Sequence, residues 1–380
     1  MSNLRDKYCI VGIGETPVGK VDGITNLGFN LLAAKLAIED AGLTNKDIDG
    51  VLTTHPYGDP PFMYSIQIAE KLGIQPTYTT DLNLGGATPV ALVEHAVMGI
   101  EAGLASTVVV SFGEALRSKI KHHGKFRMGR EDFGNPYGEV VGITYAMAAR
   151  RHMHQYGTTN EQFGHIAVAM RKHACLNPNA QEREPITIAD YHASPWICEP
   201  FRRLDICLIS NGGGAVVVTS AERARNMKKK PVYISAFAEQ HTHKNFYNMP
   251  DMTTWGAKRA AEKLYKNAGV GPKDVDVAEF YDCFTYTVLV QIEDYGFCPK
   301  GEGGRFVENG NIELGGELPV NTHGGLLSQA HIDGMLHITE GVKQLRGECG
   351  PRQVKDAEVC LVTGNGGSAG ATHSSLMLRR

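Results

Sequence analysis

Two spacings of apolar residues alternate along the chain. Runs of strand length, rich in β-branched residues, occur at 8–13 (YCIVGI), 107–112 (TVVVSF), 215–219 (AVVVT), 231–236 (PVYISA) and 358–363 (EVCLVT). Short continuous apolar runs bounded by turn residues fit strands buried on both faces. Between them, apolar positions return every three or four residues at 90–103, 141–156, 161–175, 253–268 and 335–346, which predicts helices with one buried face. Strands alternating with helices predict an α/β protein whose sheets are covered by helices.

One unit of this pattern occurs twice. Residues 33–51 (AAKLAIEDAGLTNKDIDGV) and 260–278 (AAEKLYKNAGVGPKDVDVA) share a pair of alanines, an Ala-Gly, and Lys-Asp-[Ile/Val]-Asp, all in register. The spacing reads as a helix closed by a glycine, a short polar turn, and a strand (DGVLTT; DVAEFYD). A duplicated unit predicts two similar halves, 1–225 and 231–380, each with a mixed sheet, joined across the polar 221–231 (AERARNMKKKP). Residues from about 115 to 200 break the rhythm. They are rich in Gly, Pro, His and Tyr, and predict an inserted lobe.

Composition narrows the function. A net charge of −3 excludes a chain whose whole surface binds polyanions, so no nucleic-acid partner is expected. The longest apolar run at the amino end is about five residues, short of a signal-peptide core or a membrane span of about 20 residues. Eight scattered cysteines without a CxxC read as reduced thiols and not as a metal site. A cytoplasmic protein without membrane contact is the expectation. One segment is strongly basic: 117–130 (RSKIKHHGKFRMGR) carries six Lys or Arg and no acid. It reads either as a solvated loop or subunit contact, or as a clamp for phosphates.

Glycine is abundant, 44 residues, and clusters in four turns: NLGGATP (83–89), SNGGGAVVV (210–218), NTHGGLLSQAHIDG (321–334) and TGNGGSAG (363–370). Such turns let backbone N–H groups approach a ligand. None is a nucleotide signature. Four of them at strand ends predict one ligand site built from both halves.

These residues also carry a resemblance. GETPVGKVDG (14–23), GGATPVALVEHAVMGIEAGLASTVVVSFGEA (85–115), YDCF (281–284) and NTHGG-x5-H (321–331) resemble, in order, the motifs of the thiolase superfamily over essentially the whole chain. DICLISNGGGAVVVTSAERA and EGVKQLRGECG are similar to the branch of sterol-carrier-protein-x-like thiolases and lipid-transfer-protein aldolases, which also holds the benzoylsuccinyl-CoA type of thiolase. The resemblance implies a five-layered αβαβα thiolase fold, and coenzyme A as substrate or product with no permanent cofactor. It also implies a homodimeric core with a small zinc-ribbon/OB-fold partner subunit, in a degradation pathway.

The departures from the family pattern matter most. The nucleophilic-cysteine position falls at Gly86, and no cysteine lies between residues 10 and 174. The second catalytic cysteine falls at Thr363 or Gly364 and is also missing, with Cys360 three residues earlier inside a strand. What the resemblance leaves is His331 in the place of the activating histidine, able to act as base or donor near neutral pH. Asn321 opens the same motif. His323 replaces its second Asn and would line the oxyanion site, and Tyr281 replaces the Asn that holds a water. Each has an alternative reading as a packed structural residue. Cys283 is the one thiol the motif brings near, with buried filler as the better account; Cys207, His337 and His373 read as structural or surface residues. For the coenzyme, the candidates are Lys119, Lys121, Lys125 and Arg127 on its phosphates, with Gly324, Gly325, Gly366 and Gly367 as backbone donors. Phe126, Phe133, Tyr137 and Tyr145 in the lobe permit a ring-bearing acyl group. Three activities fit. Acyl transfer on a β-ketoacyl-CoA without the usual cysteine ranks slightly ahead, because His331 is retained. Retro-aldol cleavage of a β-hydroxyacyl-CoA ranks close behind, and a non-catalytic scaffold ranks last.

Overall fold

The computed structural model of the chain describes residues 4–57, 61–119 and 141–380. The amino-terminal elements are β1 (Tyr8–Glu15), α1 (Asn26–Asp40), β2 (Gly50–Thr53), α2 (Tyr64–Leu72), β3 (Tyr78–Asp81), α3 (Thr88–Glu101) and β4 (Thr107–Ala115). A lobe follows, with α4 (Leu116–Lys119), α5 (Val141–Tyr156), α6 (Asn160–Cys175), α7 (Ile188–Ala193) and the hairpin β5 (Trp196–Cys198) and β6 (Phe201–Arg202). The chain returns through β7 (Asn211–Ser220), α8 (Ala221–Ala224) and β8 (Val232–His241). It then forms α9 (Gly256–Ala268), β9 (Val277–Glu279), α10 (Thr285–Asp294), α11 (Gly303–Glu308), α12 (Met335–Arg346), β10 (Val359–Gly366) and β11 (Thr372–Arg379).

The strands lie in the order β3-β2-β4-β7-β1-β8-β11-β10-β9. Two mixed wings were expected, and two are present. The first has β2 parallel to β3 and β4, with β7 antiparallel to β4 and β1. The second has β10 parallel to β9 and antiparallel to β11, with β8 antiparallel to β11. The wings are not separate sheets, because Tyr8–Ile10 of β1 pairs antiparallel with Val232–Ile234 of β8. Helices α1 and α2 cover the first wing, α9 packs on β8 and β11, and α3 and α12 touch strands of both wings. The layers therefore run helix, sheet, helix, sheet, helix.

This layering explains the unbroken apolar runs. In β4, Val108 and Val110 join the central core with α3 and α12, while Val109 joins the outer core with Ala33 and Ala37 of α1. α1 lies so close to β1 that a side chain at Gly12 or Gly14 would come within 2.1 and 2.2 Å of the carbonyls of Ala37 and Ala33.

The repeat proves to be a hydrogen-bonded device. α1 and α9 run into Gly42 and Gly269, at φ of 71° and 72°. In the turn that follows, Asp47 accepts the N–H of Thr44 at 2.8 Å, and Asp274 that of Gly271 at 2.7 Å. Two residues on, Asp49 accepts the N–H of Thr107 at 2.8 Å, and Asp276 that of Val359 at 2.9 Å. Each repeated aspartate thus fixes the start of the strand that pairs with its own.

A buried charge network closes the second wing from behind. Arg352 reaches Glu340 of α12 at 3.1 Å, Glu340 accepts from Thr322 at 2.9 Å, and Thr322 reaches Glu279 of β9 at 3.1 Å. Burial raises the Glu340 carboxyl, but Arg352 and Lys343 overcome it and hold it at about 2. Burial beside Glu340 raises Glu279 well above its ordinary value, so Glu279 carries the proton of the pair. Among the described residues no helix is long and apolar enough to cross a membrane.

Arg352→Met should destabilise the fold by about 3–5 kcal/mol in urea unfolding at pH 7, since it strands a buried carboxylate. With its folded value depressed, the ionised Glu340 contributes above about pH 4.5, and that contribution is lost as pH falls toward about 2. The wild-type and variant stabilities should therefore converge in acid.

Candidate active site

Tyr281 stands just beyond β9, where the chain turns toward α10. Its N–H is held by Thr363 Oγ1 at 3.1 Å, and its carbonyl accepts from Gln291 at 3.0 Å. The two partners bond each other at 2.6 Å. Thr363, one of the two candidates for the second cysteine position, thus supports Tyr281. The anchored ring points at the turn before α3, which carries Gly86. A Cβ on Gly86 would lie 2.1 Å from the Tyr281 hydroxyl and 2.4 Å from the carbonyl of Asn365. The tyrosine therefore occupies the space a side chain at position 86 would need.

The Tyr281 hydroxyl lies 3.2 Å from His331 Nε2. His331 is half-buried, its N–H donating to Ser210 Oγ at 3.1 Å. Burial lowers its pKa to about 4, so the imidazole is neutral through the physiological range and Nε2 can accept a proton. Burial, with Tyr57 and Asp333 nearby, raises Tyr281 well above the ordinary phenol range, so it remains protonated.

The four glycine-rich turns meet at this pair. The 83–89 turn lies under the Tyr281 ring, and a Cβ on Gly85 would fall 3.1 Å from Gly366 Cα. A Cβ on Gly334 would touch the Tyr281 ring at 3.0 Å, and one on Gly212 would touch Ile332 at the same distance. The residues that sequence reasoning placed here divide into two groups. Gly86, Tyr281 and His331 come together. Asn321 and His323 do not, because the 321–325 turn faces inward. Asn321, at φ 49°, donates to the carbonyl of Phe280 at 2.8 Å. The His323 ring is buried with Nδ1 2.9 Å from Glu279, and burial lowers its pKa to about 4. It packs edge-on against His337, which stacks on Tyr281, so it lies one layer behind the pair.

The glycines expected to cradle a coenzyme are also packed against protein. A Cβ would fall 2.6 Å from Ala174 at Gly324, 2.0 Å from Asp282 at Gly325, 1.8 Å from the Leu84 carbonyl at Gly366 and 2.8 Å from Ala371 at Gly367. Of the basic candidates, Lys119 is the last position of α4, while Lys121, Lys125 and Arg127 lie outside the described residues, as do Phe126, Phe133 and Tyr137. Tyr145 is not free to line a pocket: it stacks on Phe284 at 4.6 Å and its hydroxyl reaches the Gly367 carbonyl at 3.2 Å. Cys283 is buried beside Cys207, which raises its thiol well above the ordinary value and leaves no thiolate to attack. His337 and His373 are fully buried, on Asp282 at 3.0 Å and Tyr295 at 2.7 Å.

Two features escaped sequence reasoning. Asp282, in the YDCF motif, accepts the N–H groups of Leu326 and Leu327 at 2.8 and 3.2 Å and so shapes the turn that leads to His331. Tyr57 reaches the turn after His331 and bonds Asp333 through its hydroxyl. Asp333 was visible in HIDG beside His331; nothing in the sequence marked Tyr57.

Comparison with known proteins identifies the family. Residues 238–380 match the thiolase C-terminal domain-like family. The chain is 39% identical over 387 residues to a 17-hydroxy-3-oxo-4-pregnene-20-carboxyl-CoA lyase of Mycobacterium tuberculosis, covering 96% of this chain and 97% of that one. It superposes on a solved Ltp2-ChsH2(DUF35) aldolase with a TM-score of 0.89 at 36% identity, covering 100% and 99% of the two chains. Human mitochondrial 3-ketoacyl-CoA thiolase shares the fold at a TM-score of 0.74 and 14% identity, over 100% and 99%. The chain belongs to the thiolase superfamily, in the branch of the sterol-carrier-protein-x-like thiolases and the aldolases related to them. It is an enzyme of carbon–carbon bond cleavage on coenzyme A thioesters.

Gly86→Ala should push the Tyr281 ring from its seat. The expected result is about 1–3 kcal/mol of lost stability by thermal unfolding, together with loss of turnover. Wild-type turnover in this variant would show that the contact is not needed.

Proposed function

We propose that this protein is a retro-aldol lyase that splits the Cα–Cβ bond of a β-hydroxyacyl-CoA without forming an acyl-enzyme. The observation that carries the reading is the Tyr281 hydroxyl seated over Gly86, next to a neutral His331. An acyl-enzyme needs a nucleophilic side chain at that position, and none fits. A retro-aldol reaction needs a proton acceptor for the β-hydroxyl and a place for the charge of an enolate. Tyr281 Oη takes the hydroxyl proton as its own proton passes to His331 Nε2. The Cα–Cβ bond breaks, its electron pair moves onto the thioester as an enolate, and a ketone or aldehyde departs. Backbone N–H groups of the glycine-rich turns stabilise the enolate oxygen.

The similarity to a lyase and an aldolase supports this order, with thiolase-type acyl transfer second; the retained His331 is what favours that second reading. By the same similarity we propose a bulky, ring-bearing acyl group such as a steroid side-chain thioester. We also propose a homodimeric core carrying a small partner subunit of the DUF35 kind.

The test is incubation with a β-hydroxyacyl-CoA whose hydroxyl lies on a ring carbon. Ketone release should not depend on free coenzyme A, and the intact protein mass should show no acyl adduct. Tyr281→Phe and His331→Ala should each lower the rate by about 10²–10⁴-fold. An acyl adduct, or turnover that requires free coenzyme A and a β-ketoacyl-CoA, would overturn the reading.

Acid should stop the reaction through His331. Its proton-accepting form is complete well above its value of about 4, so cleavage should fall as pH drops through that value. A pH–rate profile checks this.

A further inference from the structure

Beside the Tyr281–His331 pair lies a second pair that the mechanism above does not use. Tyr57 comes from the segment after β2, in the amino-terminal wing, and Asp333 from the turn between His331 and α12. The Tyr57 hydroxyl bonds Asp333 Oδ1, and the Tyr57 N–H donates to Glu114 Oε2 at 2.7 Å. The Tyr57 ring is half-buried, with its centroid 6.3 Å from that of His331. Asp333 is 2% exposed behind it and holds a left-handed backbone, at φ 51°. Such a conformation is uncommon outside glycine and concentrates at functional sites.

We infer that Tyr57 and Asp333 form the proton donor that quenches the enolate at its α-carbon. The inference rests on the retro-aldol reading for its place in the cycle. That reaction leaves an enolate after the ketone departs, and the proton taken from the hydroxyl sits on the other pair. Tyr57 Oη gives its proton to the α-carbon, and the enolate's carbon–carbon π electrons form the new C–H bond. Protonated Asp333 returns a proton to Tyr57 Oη and becomes a carboxylate. The proton held by His331 then restores Asp333 through solvent, so no proton is gained or lost over the cycle.

The environments suit this division. Burial raises Asp333 to about 7, with the Tyr57 hydrogen bond opposing and the Glu114 charge adding. Burial and Asp333 keep Tyr57 protonated. Two neighbouring groups driven to about 4 and about 7 are suited to opposite roles, one accepting and one donating. The titratable groups facing Asp333 are Tyr57 and Glu114, with Tyr281 and His331 across the site.

Microscopic reversibility supplies the test. An enzyme that protonates this carbon also removes a proton from it in the saturated product. Wild-type protein in D2O should exchange the α-hydrogens of propionyl-CoA, read by mass spectrometry. The rate should rise as pH passes through about 7 and Asp333 becomes a carboxylate. Tyr57→Phe and Asp333→Asn should each lower exchange by about 10²-fold, and Asp333→Asn should flatten the pH profile. Asn keeps the left-handed backbone and Phe keeps the ring, and either variant alone suffices. No exchange by the wild type, or wild-type exchange in both variants, would overturn the inference. Failure of the wild type to cleave a β-hydroxyacyl-CoA while exchange still depends on Tyr57 and Asp333 would remove the retro-aldol reading and leave the pair its role at the α-carbon.

Discussion

The proposed chemistry depends on one contact, between the Gly86 backbone and the Tyr281 ring. One group can occupy that space: a side chain at 86 or the hydroxyl from 281. Glycine at 86 concedes it to the tyrosine. The residue is anchored through its backbone, with its N–H on Thr363 and its carbonyl on Gln291, and these two bond each other. At the amino end of α3, where the family resemblance implies a nucleophile, the fold presents a phenol fed from the opposite wing.

That arrangement requires the turns around Tyr281 to be stiff, and the buried polar groups provide the stiffness. Asp282, next in sequence, holds two N–H groups of the turn that leads to His331, and His337 ties α12 to the same carboxylate. Behind them, Glu279 keeps the proton and Glu340 the charge across Thr322, with Arg352 balancing that charge. His323, edge-on to His337, belongs to this support and not to the reacting surface.

The elements with periodic apolar residues were legible, and so was the repeat, because its aspartates make the same hydrogen bonds in both copies. β11 was missed: THSSLMLR begins polar and is apolar only at its end, although nearly all of it is buried between β8 and β10. At the site, the family resemblance brought forward Gly86, Tyr281 and His331, which the fold brings together, but it could not tell which way the 321–325 turn faces. That orientation depends on Ala174 and Asp282, which lie far from it in sequence and fill the space beside Gly324 and Gly325. Tyr57 was invisible for the same reason. A lone tyrosine after a short strand means nothing until the fold sets it against Asp333.

The absence of a cysteine at position 86 and the presence of two tyrosine-containing pairs are read together in the proposed mechanism. A thiolate stores the acyl group covalently while the other fragment leaves as an enolate. In the proposed retro-aldol reaction the ketone leaves with no covalent store, and the enolate has to be stabilised and then protonated before it returns to the ketone. In that proposed reaction, two proton-handling groups at different pKa values meet the need, one taking the hydroxyl proton and one delivering to carbon. The wings supply them jointly: Tyr57 follows β2 of the first wing, Tyr281 follows β9 of the second, and the 331–334 turn bonds both. The site is therefore assembled at the meeting of the wings, and neither wing contains it alone.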